Sequence, residues 1–130
     1  MSDRGFTVLR PGDEGYEWRP PSWRPEEPVR RIVELPLHAT MQHSRAHLWR
    51  YPAGAAGRLH KPLVQEEVFF VAAGAMTIEL GEQRERFELP AHSMVVVEPG
   101  TPLRLSNESG EDAVLFIYGA PTDGASELIE

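Results

Sequence analysis

From Val29 onward the chain breaks into short apolar runs separated by polar punctuation, with no stretch spaced for an amphipathic helix. Nine segments carry the β-branched and aromatic enrichment of strands: "RRIVEL", "AHLWRY", "GRLH", "EVFFVA", "AMTIEL", "ERFELP", "SMVVVE", "LRLSN" and "AVLFIYG". Between them lie "PAGAAG", "KPLVQ", "AAG", "GEQR", "PAH", "PGTP" and "NESGED", each with the Gly, Pro, Asn or Asp that turns require. The pattern predicts an all-β sandwich or barrel. No fixed-period repeat or low-complexity tract is present, which argues against a solenoid or propeller.

Alternation assigns faces. His47, Trp49 and Tyr51 fall on one side of their strand, and Glu67, Phe69 and Val71 on one side of theirs. The stretch "GRLHKPLVQEEVFFVAAG" predicts a hairpin around "PLVQ" in which Lys61 pairs with Glu66 and His60 sits opposite Glu67. Residues so opposed have Cα atoms about 4.5 to 5.5 Å apart. A pair of this kind adds about 0.2 to 1 kcal/mol to a sheet. On an apolar inward face, Glu67 must either hold a proton or keep His60 protonated beside it.

Residues 1–28 read differently. Pro11, Pro20, Pro21, Pro25 and Pro28 remove amide donors and block both helix and central strand. The segment is expected to be an arm, with Trp18 and Trp23 as anchors either on its own domain or on a second subunit. The division that follows is a Pro-rich arm at 1–28, a β-barrel domain at 29–122 and a short tail at 123–130.

Composition narrows the function. A chain of 130 residues, 41% apolar and 25% charged, suits one soluble domain with its own core. A net charge of −7 argues against a nucleic-acid partner. The absence of cysteine excludes disulfides, thiolate catalysis and zinc–thiolate sites. "MSDRGFTVLRPGDEG" lacks the apolar core of a signal peptide, and no apolar run approaches the roughly 18 residues needed to cross a membrane. A cytoplasmic protein without a membrane partner is expected.

Two motifs carry a family resemblance. Gly54 or Gly57, His60, Pro62, Glu67 and Gly74 follow the spacing of a glycine, a His-x-His, a glutamate and a second glycine. "EPGTPLRLSN" follows Pro-x-Gly-x-x-His-x-x-x-Asn through Gly100 and Asn107, with Leu103 at the histidine position and Glu98 at that of the first proline. The chain thus resembles a small single-domain cupin over roughly residues 35 to 120. The resemblance implies a double-stranded β-helix, or jelly-roll, barrel. It also implies a metal held by both histidines of the first motif, its glutamate and the histidine of the second.

Here Pro62 and Leu103 replace two of those four ligands, leaving His60 and Glu67 as residual metal positions. A divalent first-row ion in such a site generally needs at least about three protein ligands. The expectation is therefore no cofactor, and an interior pocket of His60, Glu67, Phe69, Leu103, His47, Trp49 and Tyr51 binding a small polar molecule. The alternative is a metal-dependent dioxygenase, isomerase or lyase acting on a small organic acid or sugar. In it His47 joins His60 and Glu67 around Fe, Mn, Ni or Zn. His38 and His92 read as surface or edge residues. Small cupins commonly form dimers, so a homodimer is expected, with the arm as material for exchange between subunits. No nucleophile elbow or phosphate loop competes with these readings.

Overall fold

Each apolar run becomes a strand, and the strands form two five-stranded antiparallel sheets that close face to face around one core. The computed structural model describes residues 4–130. In chain order the strands are β1 (Arg31–Glu34), β2 (Arg45–Tyr51), β3 (His60–Pro62), β4 (Glu66–Ala73), β5 (Met76–Leu80), β6 (Glu85–Leu89), β7 (Met94–Val97), β8 (Leu103–Ser106), β9 (Ala113–Ala120) and β10 (Ser126–Leu128). The first sheet runs β1-β2-β9-β4-β7 and the second β10-β3-β8-β5-β6. The described helical residues are a single 3₁₀ turn, Leu35–Leu37. Among the described residues no helix is long and apolar enough to cross a membrane.

Alternation holds along the long strands. Trp49, Tyr51, Phe69, Val71 and Leu115 of the first sheet point inward and meet Met76, Ile78, Leu103 and Leu105 of the second. Fully burying side chains of this size contributes about 1.5 to 3 kcal/mol each. The two outer faces differ. That of the second sheet is charged, with Glu79 opposite both Arg86 and Arg104. That of the first is apolar, and one ladder runs Leu48, Phe116, Phe70, Met94 across four strands.

Two expectations need correction. His60 and Glu67 do not pair: β3 belongs to the second sheet, where His60 lies opposite Leu103, whereas Glu67 on β4 lies between Val97 and Gly119 in the first. Residues 62–65 are thus a crossover between sheets and not a hairpin turn. Pro62 gives its carbonyl to the Gly100 amide, and buried Gln65 donates to the Pro121 carbonyl at 2.9 Å. The C-terminal segment also does more than trail, since Ser126–Leu128 forms an edge strand against β3. Its three residues are all exposed, so no apolar alternation marks it.

The Pro-rich segment follows turns along the barrel. Arg19 and Ile32 exchange both backbone hydrogen bonds, at 3.1 and 2.7 Å. Ser22 donates its amide and hydroxyl to the Glu34 carboxylate at 3.0 and 2.8 Å. Buried Glu27 accepts from the amides of Val29 and Arg30 and from the Arg30 guanidinium. Trp23 packs edge-on against Trp49, and the Arg50 guanidinium lies 4.3 Å over Trp18. Both anchors therefore rest on their own barrel.

Glycine and asparagine of the two sequence motifs have structural work. Gly74 sits at φ +74°, and a Cβ there would lie 2.6 Å from the Asp112 carbonyl oxygen. That left-handed conformation and close approach suit glycine alone. Asn107, fully buried, donates to the Tyr51 and Glu111 carbonyls and accepts from the Ser109 amide and hydroxyl.

Candidate functional site

Between the sheets, and open at the end where the arm crosses, lies a cavity of about 830 Å³. All seven pocket residues expected from the sequence line it: His47, Trp49 and Tyr51 from β2, Glu67 and Phe69 from β4, His60 from β3 and Leu103 from β8. The first sheet thus contributes one wall and the second the other, which is how His60 and Glu67 share a pocket without sharing a strand pair.

Glu67 is held by surroundings that disfavour its charge. Burial raises its carboxyl from 4.5 to about 7, against a smaller opposing pull from Arg45. Its partner, as the sequence posed it, was to be His60. Instead the His60 Nδ1 lies 2.8 Å from the Arg58 carbonyl. That contact requires a proton on Nδ1, so the ring faces the world with Nε2 as an acceptor. Burial lowers the His60 pKa, with the Arg58 carbonyl acting against the shift and Arg30 and Arg24 adding to it. The imidazole is neutral at pH 7.

His47 is neutral as well. Burial, aided by the neighbouring charge of Arg45, lowers it from 6.5 to about 4. Its Nδ1 is buried and has no hydrogen-bond partner among the described residues. An unmet buried polar atom costs about 1 to 3 kcal/mol, so this nitrogen is a place where a ligand atom would be received favourably.

The family's metal does not fit this donor set. Pro62 offers no donor atom and is buried, and the Leu103 hydrocarbon stands directly opposite His60. The displaced set of His47, His60 and Glu67 does not assemble either. His47 and Glu67 sit on strands separated by β9 and on different rows, beside Ile117 and Gly119. Among the described residues no three His, Cys, Asp or Glu side chains are placed to hold an ion. His43 and His92 are exposed and His38 packs near Gly15, away from the cavity.

Several lining residues were not anticipated. Trp23 and Arg24 reach the cavity from the arm, Arg45 from the first position of β2, and Gln65 from the crossover. Arg30 also lines the cavity, 5.0 Å over the Trp49 ring, but is tied to Glu27 at 2.7 Å and to the Tyr51 hydroxyl at 3.1 Å. Burial alone would raise Glu27, but the hydrogen bonds from Arg30 and the two amides reverse the effect and bring it to about 2. Gly57 leaves room for this pair, since a Cβ there would stand 3.0 Å from the Arg30 guanidinium.

A family model described as "Cupin domain" matches residues 47–118. No curated protein matches the chain. Among solved structures, an uncharacterized conserved protein with a double-stranded beta-helix domain from Klebsiella pneumoniae superposes with a TM-score of 0.68 at 20% identity, over 86% of this chain and 90% of that one. KdgF from Halomonas sp. gives 0.67 at 18% identity, over 83% and 91%. The polyketide cyclase RemF from Streptomyces resistomycificus gives 0.69 at 12% identity, over 78% and 71%. At these identities the likeness is one of fold.

Proposed function

The chain belongs to the cupin domain family, and from that premise we propose that it binds a small polar molecule inside its barrel without the help of a metal ion. The observation that carries this reading is a pair of polar groups in the cavity wall. His47 presents a buried, unpartnered nitrogen and Glu67 a carboxyl that burial raises to about 7, beside the apolar side chains of Phe69, Leu103 and Trp49. Small-molecule sites have this character: largely apolar, with a few placed polar groups that fix orientation.

At neutral pH the cavity offers both hydrogen-bond donors and acceptors. Glu67 exchanges between the two roles near pH 7, while the His60 Nε2 accepts. A hydroxyl or carbonyl oxygen would satisfy groups that the protein itself leaves unmet. Soluble cytoplasmic residence and a homodimer belong to the same proposal.

Metal analysis of the protein purified without an affinity tag tests it. Metal well below stoichiometric amounts is expected, unchanged in His60→Ala. Stoichiometric metal that disappears in His60→Ala would overturn the metal-free reading and restore the metal-dependent enzyme as the better account.

A further inference from the structure

The rim of the cavity differs in charge from the rest of the molecule. The chain carries a net −7, yet Arg24, Arg30, Arg45 and Arg58 line this one cavity, against Glu26 and Glu67. Not all four are available. Arg30 is committed to Glu27 and Tyr51, and Arg58 is exposed.

Arg24 and Arg45 are different. The Arg24 Nε is buried with no hydrogen-bond partner among the described residues, and its nearest carboxylate oxygen, on Glu27, stands 3.7 Å from Nη2. A guanidinium nitrogen can only donate, so what it lacks is an acceptor. Arg45 lies 5.8 Å over the Trp23 ring and makes no ion pair among the described residues. Space has been left for it too, because a Cβ on Gly124 would collide with its Nη1. Arg24, whose one ion pair among the described residues is the long contact with Glu27, and Arg45, which makes none, join the Trp23 indole and the apolar wall residues in a receptor with two ends. A cavity of one sign focuses ligands of the other, more so when the surrounding surface repels them.

We propose that the ligand is an organic acid with an apolar body. Its carboxylate is held at the rim by Arg24 and Arg45, and its body lies among Trp23, Trp49, Phe69 and Leu103. The inference rests on the pocket-binding reading above and narrows it to a chemical class. Guanidinium suits this task because its planar donors match a carboxylate in two-point contact, with a strength that neutral donors do not reach.

Three acids test it, benzoate, salicylate and 3-phenylpropionate, each set against its neutral primary amide. Binding is followed by tryptophan fluorescence, since Trp23 and Trp49 both line the cavity, and by thermal shift. At least one acid is expected to bind about tenfold or more tightly than its amide, with affinity falling as sodium chloride rises. Arg24→Gln and Arg45→Gln should each weaken the acid about tenfold and the amide several-fold less, while Arg45→Lys, which keeps the charge, should lose less than Arg45→Gln. Circular dichroism checks that each variant is folded. Acids and amides binding equally, or acid affinity unaltered in both glutamine variants, would overturn the inference and leave pocket binding standing. No binding by any acid or amide up to millimolar concentration would instead overturn the pocket reading.

Discussion

Glu67 is the residue whose chemistry is most altered by its position. Its pKa of about 7 in the fold, against 4.5 when free, means that the folded state prefers the neutral acid. The stability associated with that preference is full below pH 4.5 and is lost as pH rises through about 7. Glu67→Gln removes the loss. Urea denaturation should find the variant more stable than the parent at pH 8, by on the order of 3 kcal/mol, and nearly equal to it at pH 4. A difference that does not change with pH would show that the carboxyl is not held in this way. His47 works in the opposite direction: stability tied to its neutral ring is intact above pH 6.5 and lost as pH falls through about 4. Asn107 belongs to stability and not to binding, because all its polar atoms are spent on the backbone and on Ser109. Asn107→Ala takes the side-chain donor from the Tyr51 carbonyl and the acceptor from the Ser109 amide, while the Glu111 carbonyl keeps the Ser109 hydroxyl; it should cost about 2 to 3 kcal/mol in the same denaturation assay, without altering metal content.

Among the elements, the arm does more than the sequence suggested. Its buried Glu27 fastens it to Arg30, and through Arg30 to Tyr51 in the pocket wall. Glu27→Gln leaves a buried guanidinium without its counter-charge. A loss of about 3 to 5 kcal/mol is expected on chemical denaturation. In the parent, the contribution of Glu27 is present above pH 4.5 and is lost as pH falls toward about 2. Strand identity was legible because period-two burial writes itself into "AHLWRY" and "EVFFVA", and that pattern also put His47, Trp49, Tyr51, Glu67 and Phe69 on the faces that line the cavity. Strand partnership was not legible. The register of β3 depends on which sheet the chain crosses to after Pro62, and a crossover and a hairpin loop draw on the same residues. Arg45 was within reach, since extending the β2 alternation back by two residues from His47 puts it on the same face. Trp23 and Arg24 were not, because a Pro-rich segment has no period from which a face can be read.

For the whole molecule, the contrast between its two outer faces bears on the proposed homodimer. The second sheet shows water a lattice of charges, whereas the first shows Leu48, Phe116, Phe70 and Met94 in one row and Tyr118, Val68 and Val96 in the next, with Met94 75% and Val96 62% exposed. Large exposed apolar patches are uncommon on monomers. Sedimentation velocity at micromolar concentration should therefore find a homodimer, and Met94→Glu with Val96→Glu should shift it to monomer while preserving the fold. A monomeric parent would refute this assignment of the face. The pocket draws its walls from different layers, with Glu67 on one and His60 on the other. A guest lodged there would act as a rivet between the layers. Hydrogen–deuterium exchange should then slow in both at once, even in amides that the guest never touches.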